Sequence, residues 1–182
     1  MTPSIRGFYA DWAGYNRRVA EALGTLEPDD LGLIVQRSDP WPIWAVAGHT
    51  VAARVHWLCT VLGEPGREAT PFPDPDGLAW EDDLSIPHSA REVADAYAVS
   101  WRLIAGCLDR WTTDALWQEL PFNLGSGSRV HTRQSILMRL INHDAFHAGE
   151  ISLTLVANGR EPIDLWPAAD WAADAPRSLR EG

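Results

Sequence analysis

From Thr132 to Gly159 the chain carries one unbroken helical pattern, "TRQSILMRLINHDAFHAGEISLTLVANG", free of proline and with Gly159 as its stop. A helix this long with one apolar stripe needs long partners, and three more segments have the same period. The first runs from about Phe8 to Leu26, through Trp12, Tyr15, Val19, Leu23 and Leu26. The second runs from about Trp41 to Leu62, between Pro40 and Gly63. The third opens on Ser89 with Glu92 three residues later, the signature of a reciprocal N-terminal cap, and continues through Tyr97, Trp101 and Leu108. Two long connections separate the later helices. "EPGREATPFPDPDGLAWEDDLSIPHS" is proline-rich and acidic, and should be pinned to the surface by Phe72 and Trp80. "WTTDALWQELPFNLGSGSRVH" reads as a turn at residues 125–128 between two short extended pieces. Strand signals are weak elsewhere. The expectation is an all-α chain, an antiparallel four-helix bundle with two long irregular connections. It should form one domain over residues 1–182, with a tail from about residue 162 packing over it.

On the fourth helix His143 and His147 lie four residues apart and share a face. With His143 at zero and about 100° per residue, His147 falls near 40°, Leu140 near 60°, Ile136 near 20° and Glu150 near −20°. Both histidines are therefore expected in the middle of the core-facing stripe, where an imidazole needs a partner. On the second helix His49 shares a face with Ala45, Val46, Ala53 and His56, small neighbours that would leave a cavity. Inward histidines from two helices can form a metal site, and three imidazoles with open positions is the pattern of a catalytic ion. The residues alone leave a second reading open, in which these histidines bond to one another and to a buried Asn142 or Thr154.

Glu150, one turn below His147, could orient an imidazole or act as a general base; a pairing with a nearby arginine is the plainer alternative. Asp144 points about 100° away from His143 and is not expected to ligate. His56 lies two turns from His49, too far for the same ion. His131 suits a cap or the surface, and His88 receives no role. Arg133 and Arg139 are candidates to meet an anionic substrate, with a solvated surface role the better reading for Arg139.

The net charge is −10 and all fifteen basic residues are arginine. This excludes lysine chemistry and argues against a nucleic-acid partner. No apolar run reaches the length of a membrane span, and "MTPSIRGFYADW" lacks a signal-peptide pattern, so a cytoplasmic location is expected. Cys59 and Cys107 have no CxxC partner and are expected as buried, reduced thiols. No nucleotide-binding or nucleophile-elbow motif is present.

The segments "YADWAGYNRRVAEALGTL", "PWPIWAVAGHTVAARVHWL" and "RVHTRQSILMRLINHDAFHAGEISLTL", with H-D-A-F-H-A-G-E following His49, resemble the DinB-like superfamily of four-helix metalloproteins over nearly the whole chain. The resemblance implies one divalent metal, zinc or nickel, held by His49, His143 and His147. It also implies a frequent homodimer and a small-molecule substrate. Relatives include the metal domain of mycothiol-dependent maleylpyruvate isomerase and bacillithiol-dependent transferases, which use a low-molecular-weight thiol cosubstrate. Some members of that branch replace one histidine by glutamate, whereas this chain has all three. The isomerase carries a further C-terminal domain that this sequence lacks, so a maleylpyruvate isomerase is not expected. The implied activity is thiol-dependent S-transfer or isomerisation. The alternative is a non-catalytic metal-binding or stress-response protein.

Overall fold

The structure, a computed structural model, describes residues 4–124 and 127–166. Its helices in chain order are α1 (Ala10–Gly24), the one-turn α2 (Pro28–Leu31), α3 (Ile43–Val55), α4 (Ala90–Arg110), the one-turn α5 (Thr113–Leu116) and α6 (Arg133–Ala157). The protein is all-α in class, as expected, with α1, α3, α4 and α6 as its frame. α3 packs against both α4 and α6, and α1 packs against α4. The helix ends follow local chemistry. Glu92 N–H donates to Ser89 Oγ at 3.3 Å while Ser89 N–H donates to Glu92 Oε2 at 2.8 Å, so each residue satisfies the other's free donor. At the far end of α6, Gly159 takes a positive φ of 72°. That left-handed residue lets Arg160 N–H turn back to the Leu155 carbonyl at 2.9 Å.

Several connections are more ordered than expected. Trp41 does not start the second helix. Trp41–Pro42 form strand β2, paired with β1 (Ile34–Val35) in an antiparallel ladder, and the helix begins at Ile43. Two-residue strands carry no alternation for a sequence pattern to reveal. The end of the second helix is also altered: residues His56–Val61 continue α3 as a π-helix. The second long connection is a hairpin, β3 (Glu119–Leu124) against β4 (Gly127–Thr132), with Leu124 opposite Gly127. Its two extended pieces were anticipated, although residues 125 and 126 of the turn lie outside the described residues. In the tail, Ile163 is buried, its N–H donates to Ser152 Oγ at 3.1 Å, and Trp166 packs on Tyr15 at 6.5 Å. The rest of the expected tail, residues 167–182, lies outside the described residues.

One polar cluster crosses the apolar core. Arg54 on α3 is fully buried, and its Nη2 and Nε donate to the Asp144 carboxylate on α6 at 2.7 and 3.1 Å. Its Nη1 donates to Asn16 Oδ1 on α1 at 2.7 Å and to Ser100 Oγ on α4 at 3.0 Å. Trp12 Nε1–H donates to the same carboxylate at 2.9 Å, and Tyr15 O–H donates to the Asp144 carbonyl at 2.9 Å. Burial works against the Arg54 charge, but Asp144, by charge and hydrogen bond, outweighs it and raises the pKa above its ordinary value. Every frame helix therefore contributes to one satisfied network.

Among the described residues no helix is long and apolar enough to cross a membrane. Cys59 and Cys107 are both unpaired, Cys107 buried and Cys59 half-buried. Burial pushes the Cys107 thiol up to about 12.

Asp144→Ala should cost about 3–5 kcal/mol in denaturant unfolding, because it strands the buried Arg54 charge. Asp109→Asn, which breaks the exposed Arg6–Asp109 pair, should cost less than about 1 kcal/mol. In the native protein at about pH 8, Cys107 should resist maleimide until denaturant is added, because the thiolate is the reactive form. Mass spectrometry of the labelled peptides checks this.

Candidate metal centre

The buried positions of α6 are Ile136, Leu137, Leu140, Asp144, His147, Ala148, Ile151 and Leu155. At about 100° per residue they centre roughly 80–90° from His143. The histidines are therefore not in the middle of the core stripe, as expected, but along its edge. Asp144 lies nearer the stripe's centre than either histidine. His147 is buried, His143 is partly buried, and Glu150 lies just beyond the edge. Asn142 is exposed, and Thr154 Oγ1 donates to the Glu150 carbonyl on its own helix, so neither serves the histidines as a buried partner.

The structure brings His49, His143 and His147 together. His143 Nε2 lies 3.1 Å from His49 Nε2 and 3.2 Å from His147 Nε2. The rings are tilted or edge-on to one another, not stacked, with centroids 4.3 to 5.1 Å apart. The other nitrogen of two rings faces a carboxylate. His147 Nδ1 is 2.7 Å from Glu150 Oε2, and His49 Nδ1 contacts Glu81 Oε1. A carboxylate at Nδ1 keeps the proton there and turns the Nε2 lone pair outward. His143 Nδ1 is buried without a hydrogen-bond partner among the described residues. Burial, together with the charge of His147 and His49, holds the His143 pKa down to about 3. Burial and His49 hold His147 down to about 4. Both rings are neutral near neutral pH, the form that ligates.

This donor set fits a divalent ion. Tetrahedral ligands at about 2.0–2.1 Å from a metal are separated by about 3.3 Å, close to the two spacings here. Mutual hydrogen bonding satisfies the cluster less well: with Nδ1 protonated on His49 and His147, two Nε2 lone pairs compete for one His143 proton. A cation accepts from all three, and three protein ligands leave a position open.

Glu81 escaped the sequence reading. It sits on the one-turn 3-10 helix Trp80–Asp82 within the first long connection. The connection is anchored as expected, by buried Phe72 and by Trp80, whose ring stacks on His88 at 3.8 Å. Trp80 also lies directly on Gly48, where a Cβ would come within 2.8 Å of the Trp80 Cβ. Gly48, directly before His49, thus admits the Trp80 indole. The nearest sequence signal was a tryptophan between acidic residues in a proline-rich loop, which carries no distance information.

The remaining candidates fall elsewhere. His56 lies on the π-helix, edge-on to Trp57, and His131 packs on Trp57 at 5.2 Å. Arg133 lies over Trp111 and donates to Gln118. Arg139 lies over Trp57 and is exposed. The arginine beside Glu150 comes from the other half of the chain: Arg37 Nη1 is 3.7 Å from Glu150 Oε2.

Glu81→Gln and Glu150→Gln should each weaken zinc or cobalt binding by about 10–100-fold, the usual effect of removing an imidazole's outer partner. Chelator competition measures this. Equal affinity in Glu81→Gln and the unmutated chain would remove Glu81 from the centre.

A family model described as the DinB superfamily matches residues 13–151, a span that includes all three histidines and both carboxylates. Among solved structures, a DinB-like protein from Bacillus cereus ATCC 10987 aligns with a TM-score of 0.64 and 23% identity. The alignment covers 87% of this chain and 95% of that one. A search of curated proteins finds no match. At this identity the solved structure speaks for the fold, while the family match extends over most of the sequence. The chain belongs to the DinB superfamily.

Proposed function

We propose that this protein binds a divalent ion, zinc or nickel, through His49, His143 and His147 and uses it in thiol-dependent S-transfer or isomerisation of a small molecule. The observation that carries the reading is the convergence of three imidazoles from two helices, with His143 Nε2 3.1 Å from His49 Nε2 and 3.2 Å from His147 Nε2 and all three ligand atoms within 4.8 Å of one another. An ion at such a site supplies a lowered pKa for a bound thiol or water. The chain's own residues do the rest. Glu81 and Glu150 orient two of the rings. Trp41, 5.2 Å from His49, and Phe146, 5.1 Å from His147, add apolar rings beside the cluster. Of the two roles open to Glu150, orientation is better supported, because its Oε2 meets His147 Nδ1 at 2.7 Å.

A low-molecular-weight thiol is the cosubstrate in this reading, and the strongly acidic chain makes nucleic acid an unsuitable partner. Two unpaired thiols accord with a cytoplasmic location. A homodimer is supported by exposed Met138, Phe146, Leu153 and Val156 on α6. A second, non-catalytic reading draws on the same geometry. His49 belongs to α3 and the other two to α6, so an ion would also tie two helices and stabilise the bundle.

Protein purified without chelators should hold about one ion per chain, and His143→Ala should lose most of it. Mass-spectrometric metal analysis measures both, and an unchanged low content in the two would overturn both readings. Metal-dependent loss of an electrophile with mycothiol, bacillithiol or glutathione would support the enzyme. Full metal content with no turnover on any of the three would favour the stabilising role.

A further inference from the structure

Arg37 lies in the connection between β1 and β2, twelve positions before His49 but far in sequence from His143, His147 and Glu150. Its guanidinium is over the Trp41 ring at 4.3 Å, and Trp41 in turn lies 5.2 Å from His49. The side chain is 25% exposed, yet Nη1 is buried and has no hydrogen-bond partner among the described residues. Glu150 Oε2, at 3.7 Å, is beyond hydrogen-bond reach and already serves His147 Nδ1. A guanidinium over an indole with a buried donor unpartnered among the described residues is an unusual arrangement, since such donors are nearly always satisfied. Glu150 also borders an open cleft of about 430 Å³ between β1 and α6, lined by Gln36, Leu153 and Thr154 among others. That volume is within the range of small-molecule sites.

We infer that Arg37 anchors a carboxylate on the ligand that reaches the three-histidine centre. The ligand class is thus a carboxylate-bearing thiol or its conjugate. The inference rests on the thiol reading above and narrows it. Trp41 lies against the guanidinium, so less freedom is lost when a carboxylate's two oxygens meet its donors. Arg139, over Trp57 at 4.7 Å, is a second guanidinium stacked on an indole, but it is exposed and carries no ion pair with Glu150. It serves as a control for the general positive field.

N-Acetylcysteine and N-acetylcysteamine share a thiol and an amide and differ in the carboxylate. Titrated into cobalt-loaded full-length protein, each reports binding through the thiolate-to-cobalt absorption band. N-Acetylcysteine should bind about tenfold more tightly. Arg37→Gln, at equal cobalt content, should abolish that preference and leave N-acetylcysteamine affinity unchanged, whereas Arg139→Gln should keep the preference. Equal affinities in the unmutated protein, a preference that survives Arg37→Gln, or one lost equally in Arg139→Gln would each overturn the anchor. If neither thiol produces a band, the thiol reading fails, and the anchor is read on metal-free protein with N-acetyl-S-methylcysteine by saturation-transfer NMR. Signals that disappear in Arg37→Gln then uphold a carboxylate site without thiol chemistry. Their absence in the unmutated protein overturns it.

Discussion

Arg54 holds its charge where no water reaches it, and four helices are arranged around that fact. Moving a guanidinium into the interior costs several kcal/mol unless its donors are met. Here Asp144 takes two of them and Asn16 and Ser100 share a third. Because Asp144 must face Arg54, the rotation of α6 about its axis has little freedom. Turning α6 by one residue would drive His143 inward and strand Arg54. The residues on either side inherit their directions from this pair. Leu137, Leu140 and Ile151 go to the core, while His143 and Glu150 lie at the margin where a ligand can arrive.

The centre at that margin has unequal support on its three sides. Glu150 steadies His147 from within the same helix, one turn away. Glu81 steadies His49 from a loop held by Trp80 on Gly48 and by His88 on Trp80. Among the described residues His143 has no such partner at Nδ1. The geometry of the three-histidine cluster thus depends on Glu81, thirty-two positions from His49 in a proline-rich segment. A long loop kept in a compact domain usually has a task, and holding Glu81 against His49 is one the contacts display directly.

Much of the frame was legible in order along the chain, because helical period, the Ser89–Glu92 cap and the Gly159 stop are local properties. The ends of the second helix were less so. A two-residue strand such as Trp41–Pro42 has no periodic signature, and the π-helix at His56–Val61 has the same composition as an ordinary turn. The rotation of α6 was misjudged because the buried stripe was centred on the two histidines, with Asp144 weighed only as a possible ligand. Its buried partner Arg54 lies ninety positions earlier, and no local pattern links them.

His49, His143 and His147 could be nominated from sequence because a spacing of four puts two imidazoles on one helix face, and because a third histidine occupied another helix beside small residues. That much is set by the covalent chain and the geometry of the α-helix. Whether the three nitrogens converge, which carboxylates stand behind them and which arginine stands near depends on packing between segments distant in sequence. Glu81 and Arg37 reach the centre only after a loop and a hairpin close over α3 and α6. Sequence determined which side chains were available and which helix faces they occupied. The tertiary structure decided how they are aimed, because aim follows from the burial of a charge pair that joins residues ninety apart.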